Sequence, residues 1–189
     1  MALANSVSTR TSTTYAIAGD FCRIFSQDMN SLYLLSFLLT ADREKAEQCF
    51  VSGLGDSVKA NRVFKEWARS WARRAVIQNA IRMIQPAPHG TGKTPLPASD
   101  TAAATSQSDA SFSAVLELGA FERFVFVMSV LEHYSDQDCS LLLGCSRRAV
   151  ALAKMRAAEG IAKFAESGMS NASRTPAVFE QKRWVAQSA

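Results

Sequence analysis

The segment 87–94 contains residue types that could bind the phosphates of a nucleotide. Its sequence, APHGTGKT, fits a loose phosphate-loop pattern in which a small residue and four others precede Gly-Lys-Thr. Such a loop needs a buried strand before it and a helix that starts at the Lys-Thr end. Here the preceding segment is predicted to be helical, and Thr94 precedes Pro95, which disfavours helical backbone at Thr94. Nucleotide binding by Lys93 and Thr94 is therefore kept only as a weaker alternative.

Cysteine and histidine are the other residue types that could form a reactive centre. The chain contains Cys22, Cys49, Cys139, Cys145, His89 and His133. A zinc site needs such ligands at short spacing, and no Cys-x-x-Cys pair occurs. We expect buried free thiols in a reducing cytoplasm, with no metal and no cofactor.

The second half of the chain carries signals for two helices joined by a short turn. Ser135 followed by Asp138 is a variant of the capping box and predicts the start of the first helix. Gly144 predicts its end, and Ser146 caps a second helix two residues later. Two helices with such a connection predict a helix-turn-helix unit.

Basic residues are concentrated on the second of these helices. Arg147 and Arg148 lie at its start, and Lys154 and Arg156 follow. The N-terminal residues of the second helix usually enter the major groove of DNA. This distribution favours DNA binding over the alternative, a solvated basic face without a ligand.

The first half repeats the basic character. Seven basic residues and one acid, Glu66, lie within 59–85. Trp67 and Trp71 are four residues apart and share one helix face. We expect both tryptophans to pack in the core. The alternative, stacking on bases, would require exposed rings.

Hydrophobic periodicity predicts an all-α fold with two helical domains. The predicted organisation is a disordered tail (1–14), a first domain (15–85), a flexible proline-rich linker (86–112), a second domain (113–167) and a C-terminal tail that is disordered or forms a short helix (168–189). We expect one long helix over about 57–84 and an interruption at Gly53 and Gly55. The longest apolar run, 32–39, is too short to span a bilayer.

Three segments carry a resemblance to a known family. They are LYLLSFLLTADREKAEQCF (32–50), FKEWARSWARR (64–74) and YSDQDCSLLLGCSRRAV (134–150). These segments resemble those of bacterial RNA polymerase sigma factors of the extracytoplasmic-function type. The similarity covers roughly residues 20–84 and 113–165.

The resemblance implies a non-enzymatic transcription initiation factor that binds core RNA polymerase and promoter DNA, with an anti-sigma factor as a further partner. It implies polymerase contacts by Asp42, Glu44 and Glu47. It implies contacts to the promoter −10 element by Arg69, Arg73 and Arg74. It implies a recognition helix on which the DNA-facing positions are Arg147, Arg148, Ala151, Lys154 and Arg156.

Two departures from the family pattern keep a second function open. Val51 and Ser52 stand where the family has Gln followed by an acid, and the interval 49–64 is shorter than usual. Both departures favour the alternative of a sigma-like DNA-binding regulator or adaptor that no longer supports initiation.

Overall fold

The computed structural model describes residues 14–60, 62–88 and 107–172. Within these residues the chain is helical and contains no β-strand, which confirms the predicted all-α fold. The helices are α1 (Ala18–Gln27), α2 (Met29–Thr40), α3 (Arg43–Lys59), α4 (Ala68–Ile84), α5 (Gln107–Leu116), α6 (Ala120–Phe126), α7 (Asp136–Leu143) and α8 (Arg147–Ala172). A 3-10 turn, Lys65–Trp67, precedes α4, and a π-helical turn, Val127–Leu131, continues α6. No helix in the described ranges is long and apolar enough to cross a membrane.

Helix α2 lies at the centre of the fold. It is apolar on nearly all sides, as expected for a helix surrounded by others, and Leu32, Leu35 and Leu39 are buried. It packs against α1, α3 and α4, and also against α5, α6 and the π-helical turn. The hydroxyls of Ser36 and Thr40 each donate to a backbone carbonyl one turn earlier, at 2.9 Å. These bonds allow α2 to be buried without an unpaired hydroxyl.

Helix α3 begins after Asp42, whose carboxylate accepts a hydrogen bond from the backbone N–H of Lys45 at 3.0 Å. The helix then continues through Gly53 and Gly55, so the predicted interruption at these glycines is wrong. Gly53 is buried against α4, where a β-carbon would lie 2.9 Å from Cγ2 of Val76. The absence of a side chain at Gly53 therefore allows α3 and α4 to pack closely.

Residues 62–67, which precede α4, are not α-helical, so the single helix predicted over about 57–84 is wrong. The start of the described chain pairs with this stretch. The N–H of Ala16 donates to the Val63 carbonyl at 2.7 Å, and the N–H of Lys65 donates to the Thr14 carbonyl at 3.1 Å. Because these groups already have partners, they do not form the hydrogen bonds that would join α3 to α4.

The second half of the chain packs around α8. Phe121 and Phe124 of α6 are buried, and α6 contacts α8. The buried side of α8 carries Val150, Ala153 and Ala157. The two alanines at a spacing of four residues let neighbouring helices approach the axis of α8.

The two halves of the described chain share one hydrophobic core. Arg123 of α6 is 2% exposed, and its guanidinium donates to the carbonyl of Leu39, in the last turn of α2, at 3.4 Å. It also donates to the carbonyls of Leu116 and Leu118, at 3.3 and 3.1 Å. Arg123 thus supplies donors to carbonyls at the C-terminal ends of α2 and α5, which lack helical partners.

The predicted linker differs from the structure at its C-terminal end. Helix α5 begins at Gln107, so 107–112 are helical. Residues 89–106 lie outside the described residues, as do 1–13 and 173–189 of the predicted tails. Helix α8 continues to Ala172, five residues into the predicted C-terminal tail.

Candidate nucleic-acid interface

Helices α7 and α8 are joined by the three residues 144–146. Ser135 caps α7, since its Oγ accepts the backbone N–H three residues later at 3.1 Å. Helix α7 ends at Gly144, whose φ of 62° lies in the left-handed region that glycine adopts without strain. The Oγ of Ser146 accepts the backbone N–H three residues later at 3.2 Å. The helix boundaries predicted on both sides of the turn are therefore found in the structure.

Packing determines which side of α8 is exposed. Val150 and Ala153 face the core together with Cys139 of α7. Arg148 and Ala151 are exposed. The start of α8 thus presents its basic side chains outward.

Arg147 and Arg148 are exposed in the first turn of α8. The Nε of Arg147 donates to the Oε1 of Gln137, a neutral side chain of α7. Arg148 makes no hydrogen bond or ion pair with another residue in the described ranges. No acid in the part of the chain that the structure describes neutralises either arginine, and the helix N-terminus adds a partial positive charge beside them.

Lys154 and Arg156, about two turns further along α8, are paired with acids. The Nζ of Lys154 lies 3.0 Å from Oδ1 of Asp136 in α7. The Nη1 of Arg156 lies 3.6 Å from Oε1 of Glu122 in α6. The side chains of Lys154 and Arg156 are 42% and 60% exposed, and ion pairs at such positions are worth about 0–1 kcal/mol. These contacts orient the two side chains without preventing an exchange of partner.

Basic residues of the first half form ion pairs and hydrogen bonds within the protein that the sequence does not indicate. The Nη1 of Arg69 contacts both carboxylate oxygens of Asp28 at 2.5 and 2.6 Å. Arg73 is bonded to Glu132 and to Ser31. Arg69 and Arg73 therefore both have acidic partners within the protein, and their assignment to the −10 element stays a prediction.

Arg74, the third basic residue assigned to the −10 element, is half-buried. It lies close enough to Tyr134 to affect its ionisation. Burial raises the pKa of this tyrosine, and the positive charge of Arg74 opposes the shift. The guanidinium of Arg74 is thus placed at the boundary between the two halves.

The exposed rings of Tyr15 and Trp67 and the half-buried ring of Phe64 between them form a cluster that we define as the aromatic surface, and it corrects the expectation for the tryptophans. Trp67 is 61% exposed, and Trp71 is also exposed, so neither packs in the core. The ring of Phe64 lies 4.9 Å from that of Tyr15 and 5.2 Å from that of Trp67, measured between centroids. Lys65 lies between these residues in the sequence and adds a positive charge.

The three acids assigned to polymerase binding lie on the first two turns of α3 or at its start. Asp42 caps the helix, Glu44 is exposed, and Glu47 forms an ion pair with Arg43 at 3.6 Å. Glu47 also lines an open groove of about 430 Å³. The other residues that line this groove are Gln48, Val51, Ser52 and Met83. The position of Val51 and Ser52, singled out as a departure from the family pattern, is therefore part of the same surface.

The cysteines are free, and the expectation that they are buried is wrong for two of the four. Cys49 and Cys139 are buried, Cys145 is half-buried and Cys22 is exposed. Burial raises the pKa of Cys49 and of Cys139 from 9.0 to about 11. The described residues contain no cluster of acids, cysteines and histidines that could bind a metal ion.

The predicted phosphate loop lies mostly outside the described residues. The element that precedes this loop is helix α4 and not a strand. Helix α4 ends at Ile84, three residues before the loop begins at Ala87. No protein-family model matches the chain, and a search of the curated proteins finds no match.

Proposed function

We propose that this protein is a DNA-binding transcription factor that acts with core RNA polymerase in the cytoplasm, in the manner of the sigma factors it resembles. The observation that carries the proposal is the exposed pair Arg147 and Arg148 at the start of α8, which has no acidic partner among the described residues. Helices α7 and α8 would act as a helix-turn-helix unit, with α8 as the recognition helix.

The proposed recognition uses different chemistry at different positions of α8. A guanidinium at the helix start can donate two hydrogen bonds to the O6 and N7 atoms of guanine, a contact worth about 1–3 kcal/mol of discrimination. Arg148 is available for such a contact, and Arg147 needs only to exchange the amide of Gln137 for a base. The exposed Ala151 offers a methyl group that could contact thymine.

Lys154 and Arg156 support binding to the phosphate backbone. Their pairs with Asp136 and Glu122 leave both basic side chains exposed, so that a phosphate can replace the carboxylate. Each phosphate neutralised in this way would steepen the salt dependence of binding by about 0.9.

The first half would contact a second promoter element, so that the two halves act as two domains. The aromatic surface around Trp67 and Lys65, which follows Phe64 in the sequence, support this part of the proposal. Exposed aromatic rings stack on unpaired bases, and a nearby cation attracts their phosphates.

A footprinting experiment tests the role of α8. Arg148→Ala and Arg147→Ala should each weaken protection of promoter DNA by about 1–3 kcal/mol and relax specificity at one position. Arg43→Ala is the matched control, because Arg43 is an exposed arginine at the start of a different helix. Equal protection by the two α8 variants, the control and the parent would refute the assignment of α8 as the recognition helix.

Polymerase binding distinguishes this proposal from the second candidate, a sigma-like regulator that does not support initiation. The engagement of Arg73 by Glu132 and the unusual residues Val51 and Ser52 favour the second candidate. The test is co-purification with core RNA polymerase, using Glu44→Lys as the variant that reverses charge beside the groove. An initiation factor should bind polymerase and lose affinity in the variant. A regulator should bind DNA but no polymerase.

A further inference from the structure

Arg73 and Glu132 form an ion pair that joins the two halves of the chain. Arg73 lies in α4, and Glu132 directly follows the π-helical turn. The Nε of Arg73 donates to Oε2 of Glu132 at 2.6 Å, and Nη2 donates to Oε1. The remaining nitrogen, Nη1, donates to Oγ of Ser31 at 3.0 Å. All three nitrogens of this guanidinium are therefore engaged.

The ion pair lies at the edge of the buried region. The side chain of Glu132 is 6% exposed, whereas that of Arg73 is 35% exposed. The hydrogen bonds to Glu132 raise the pKa of Arg73, although burial opposes this shift. A buried carboxylate is costly to leave unpaired, so Glu132 favours the arrangement in which the two halves are in contact.

The backbone places Glu132 at this position independently of Arg73. Its N–H donates to the Val127 carbonyl at 3.0 Å, and the N–H of Tyr134 donates to the Met128 carbonyl at 2.9 Å. Between them, His133 adopts a left-handed backbone with a φ of 57°. These features hold Glu132 in place by contacts within the second half alone.

A carboxylate and a phosphate are alternative partners for the same edge of a guanidinium. Arg73 is also one of the residues that the resemblance assigns to DNA. We propose that Glu132 is an internal competitor of nucleic-acid phosphate: it occupies Arg73 in the free protein and must be displaced before Arg73 can contact DNA. This inference rests on the proposed function, and it adds that nucleic-acid binding by the first half loosens the contact between the halves.

The pair between Arg69 and Asp28 has a different consequence. Both residues belong to the first half, and the arginine side chain is 58% exposed. Opening this pair leaves the two halves in contact. Of the ion pairs among the described residues, only the one between Arg73 and Glu132 links occupancy of a DNA-binding arginine to the arrangement of the halves.

The test compares Glu132→Gln with the parent, using a fluorescently labelled single-stranded oligonucleotide and the corresponding duplex in anisotropy titrations over a salt series. We expect the variant to bind about tenfold more tightly, the order of one charge-assisted contact. Its salt slope should steepen by about 0.7 for single strands and about 0.9 for the duplex, corresponding to one additional phosphate contact. Glu117→Gln, which removes an exposed acid of the same half, is the control for general charge.

Two further variants keep the test decisive. In an Arg73→Ala background, Glu132→Gln should give no more gain than Glu117→Gln. Glu132→Asp keeps the charge but removes one methylene and draws the carboxylate back from Arg73, so it should give a smaller gain than the nearly isosteric Glu132→Gln. Thermal melts verify that each variant is folded.

The outcomes separate this inference from the proposed function. If Arg148→Ala weakens DNA binding but Glu132→Gln and Glu132→Asp gain no more affinity than Glu117→Gln, Glu132 is only a structural contact and the inference falls alone. A gain that persists in the Arg73→Ala background refutes it in the same way. If neither the parent nor any variant binds nucleic acid, both proposals are refuted.

Discussion

Trp67 shows how a single exposed side chain can carry part of the proposed DNA binding. Its ring is edge-on to Phe64, with an interplanar angle of 78°, and lies mostly in solvent. The apolar area of an exposed tryptophan next to a second aromatic ring is unfavourable in water, and a stacked base would remove this area from water.

We expect Trp67→Ala to weaken binding of a single-stranded oligonucleotide by about 1–3 kcal/mol, the amount that one stacked base contributes. The protein should stay folded, because Trp67 is 61% exposed and lies outside the core; the loss is that of its ring contact with Phe64. Phe112→Ala is the matched control, since Phe112 is an exposed aromatic residue of the other half. Fluorescence anisotropy measures the affinity. Unchanged binding by Trp67→Ala would show that bases do not stack there.

Thiol chemistry also differs from one cysteine to the next. Cys49 donates from Sγ to the Val76 carbonyl at 3.2 Å in the core, and burial raises its pKa to about 11. Cys139 is likewise buried, whereas Cys22 is exposed. Since the thiolate is the reactive form, both burial and pKa protect Cys49 and Cys139.

Iodoacetamide at neutral pH should therefore modify Cys22 first, and it should modify Cys49 and Cys139 only when the protein unfolds. The raised pKa values also mean that the folded state favours the neutral thiols. Their contribution to stability is complete below pH 9.0 and is lost as the pH rises toward about 11. Peptide mass spectrometry measures the order of labelling, with Cys22→Ser as the control. Rapid labelling of Cys49 in folded protein would contradict the structure.

At the level of elements, local signals in the sequence were sufficient where a helix end depends on a few neighbouring residues. Ser135, Gly144 and Ser146 predicted the boundaries of α7 and α8, because each forms its cap within four residues. The interruption before α4 was not predictable in this way. It depends on pairing between Ala16 and Val63, which lie far apart in the sequence.

The same limit applies to the candidate site. The exposure of Arg147 and Arg148 followed from the position of these residues at a helix start. The ion pair between Arg73 and Glu132 could not be predicted in this way, since Glu132 lies 59 residues away and in the other half. Hydrophobicity likewise predicted buried tryptophans, although the core beside them is filled by alanines of α4 such as Ala68 and Ala72.

The two glycines of α3 provide a matched test of helix packing. Gly55→Ala should stabilise the protein by about 0.5–1 kcal/mol, because alanine favours the helix and nothing lies within 4 Å of the added methyl group. Gly53→Ala should destabilise it, because the methyl group would meet Val76 at 2.9 Å and overpacking costs about 1–3 kcal/mol. Urea denaturation measures both. If Gly53→Ala were as stable as Gly55→Ala, α3 and α4 would not pack this closely.

At the level of the whole molecule, the halves are physically continuous despite the segment that separates them in sequence. Helix α2 of the first half contacts α5, α6 and the π-helical turn of the second. The buried Arg123 adds hydrogen bonds across the same boundary, and burial lowers its pKa to about 10, so it remains charged at neutral pH. A charged group in this position stabilises the fold only while both helix ends remain in contact with it.

This continuity predicts that the protein unfolds in one cooperative transition. Met128→Ala, in the buried π-helical turn, should cost about 2–5 kcal/mol and lower the melting midpoint by several degrees. In a Trp184→Phe background, the fluorescence comes from Trp67 and Trp71, which belong to the other half. The midpoint measured by this fluorescence should fall by the same amount as the midpoint of the whole protein. Met155→Ala, which removes a methionine that is 60% exposed, should leave the midpoint unchanged. If Met128→Ala instead left the tryptophan transition at the parent temperature, the halves would unfold independently, and Glu132 would engage Arg73 without a shared core to hold them together.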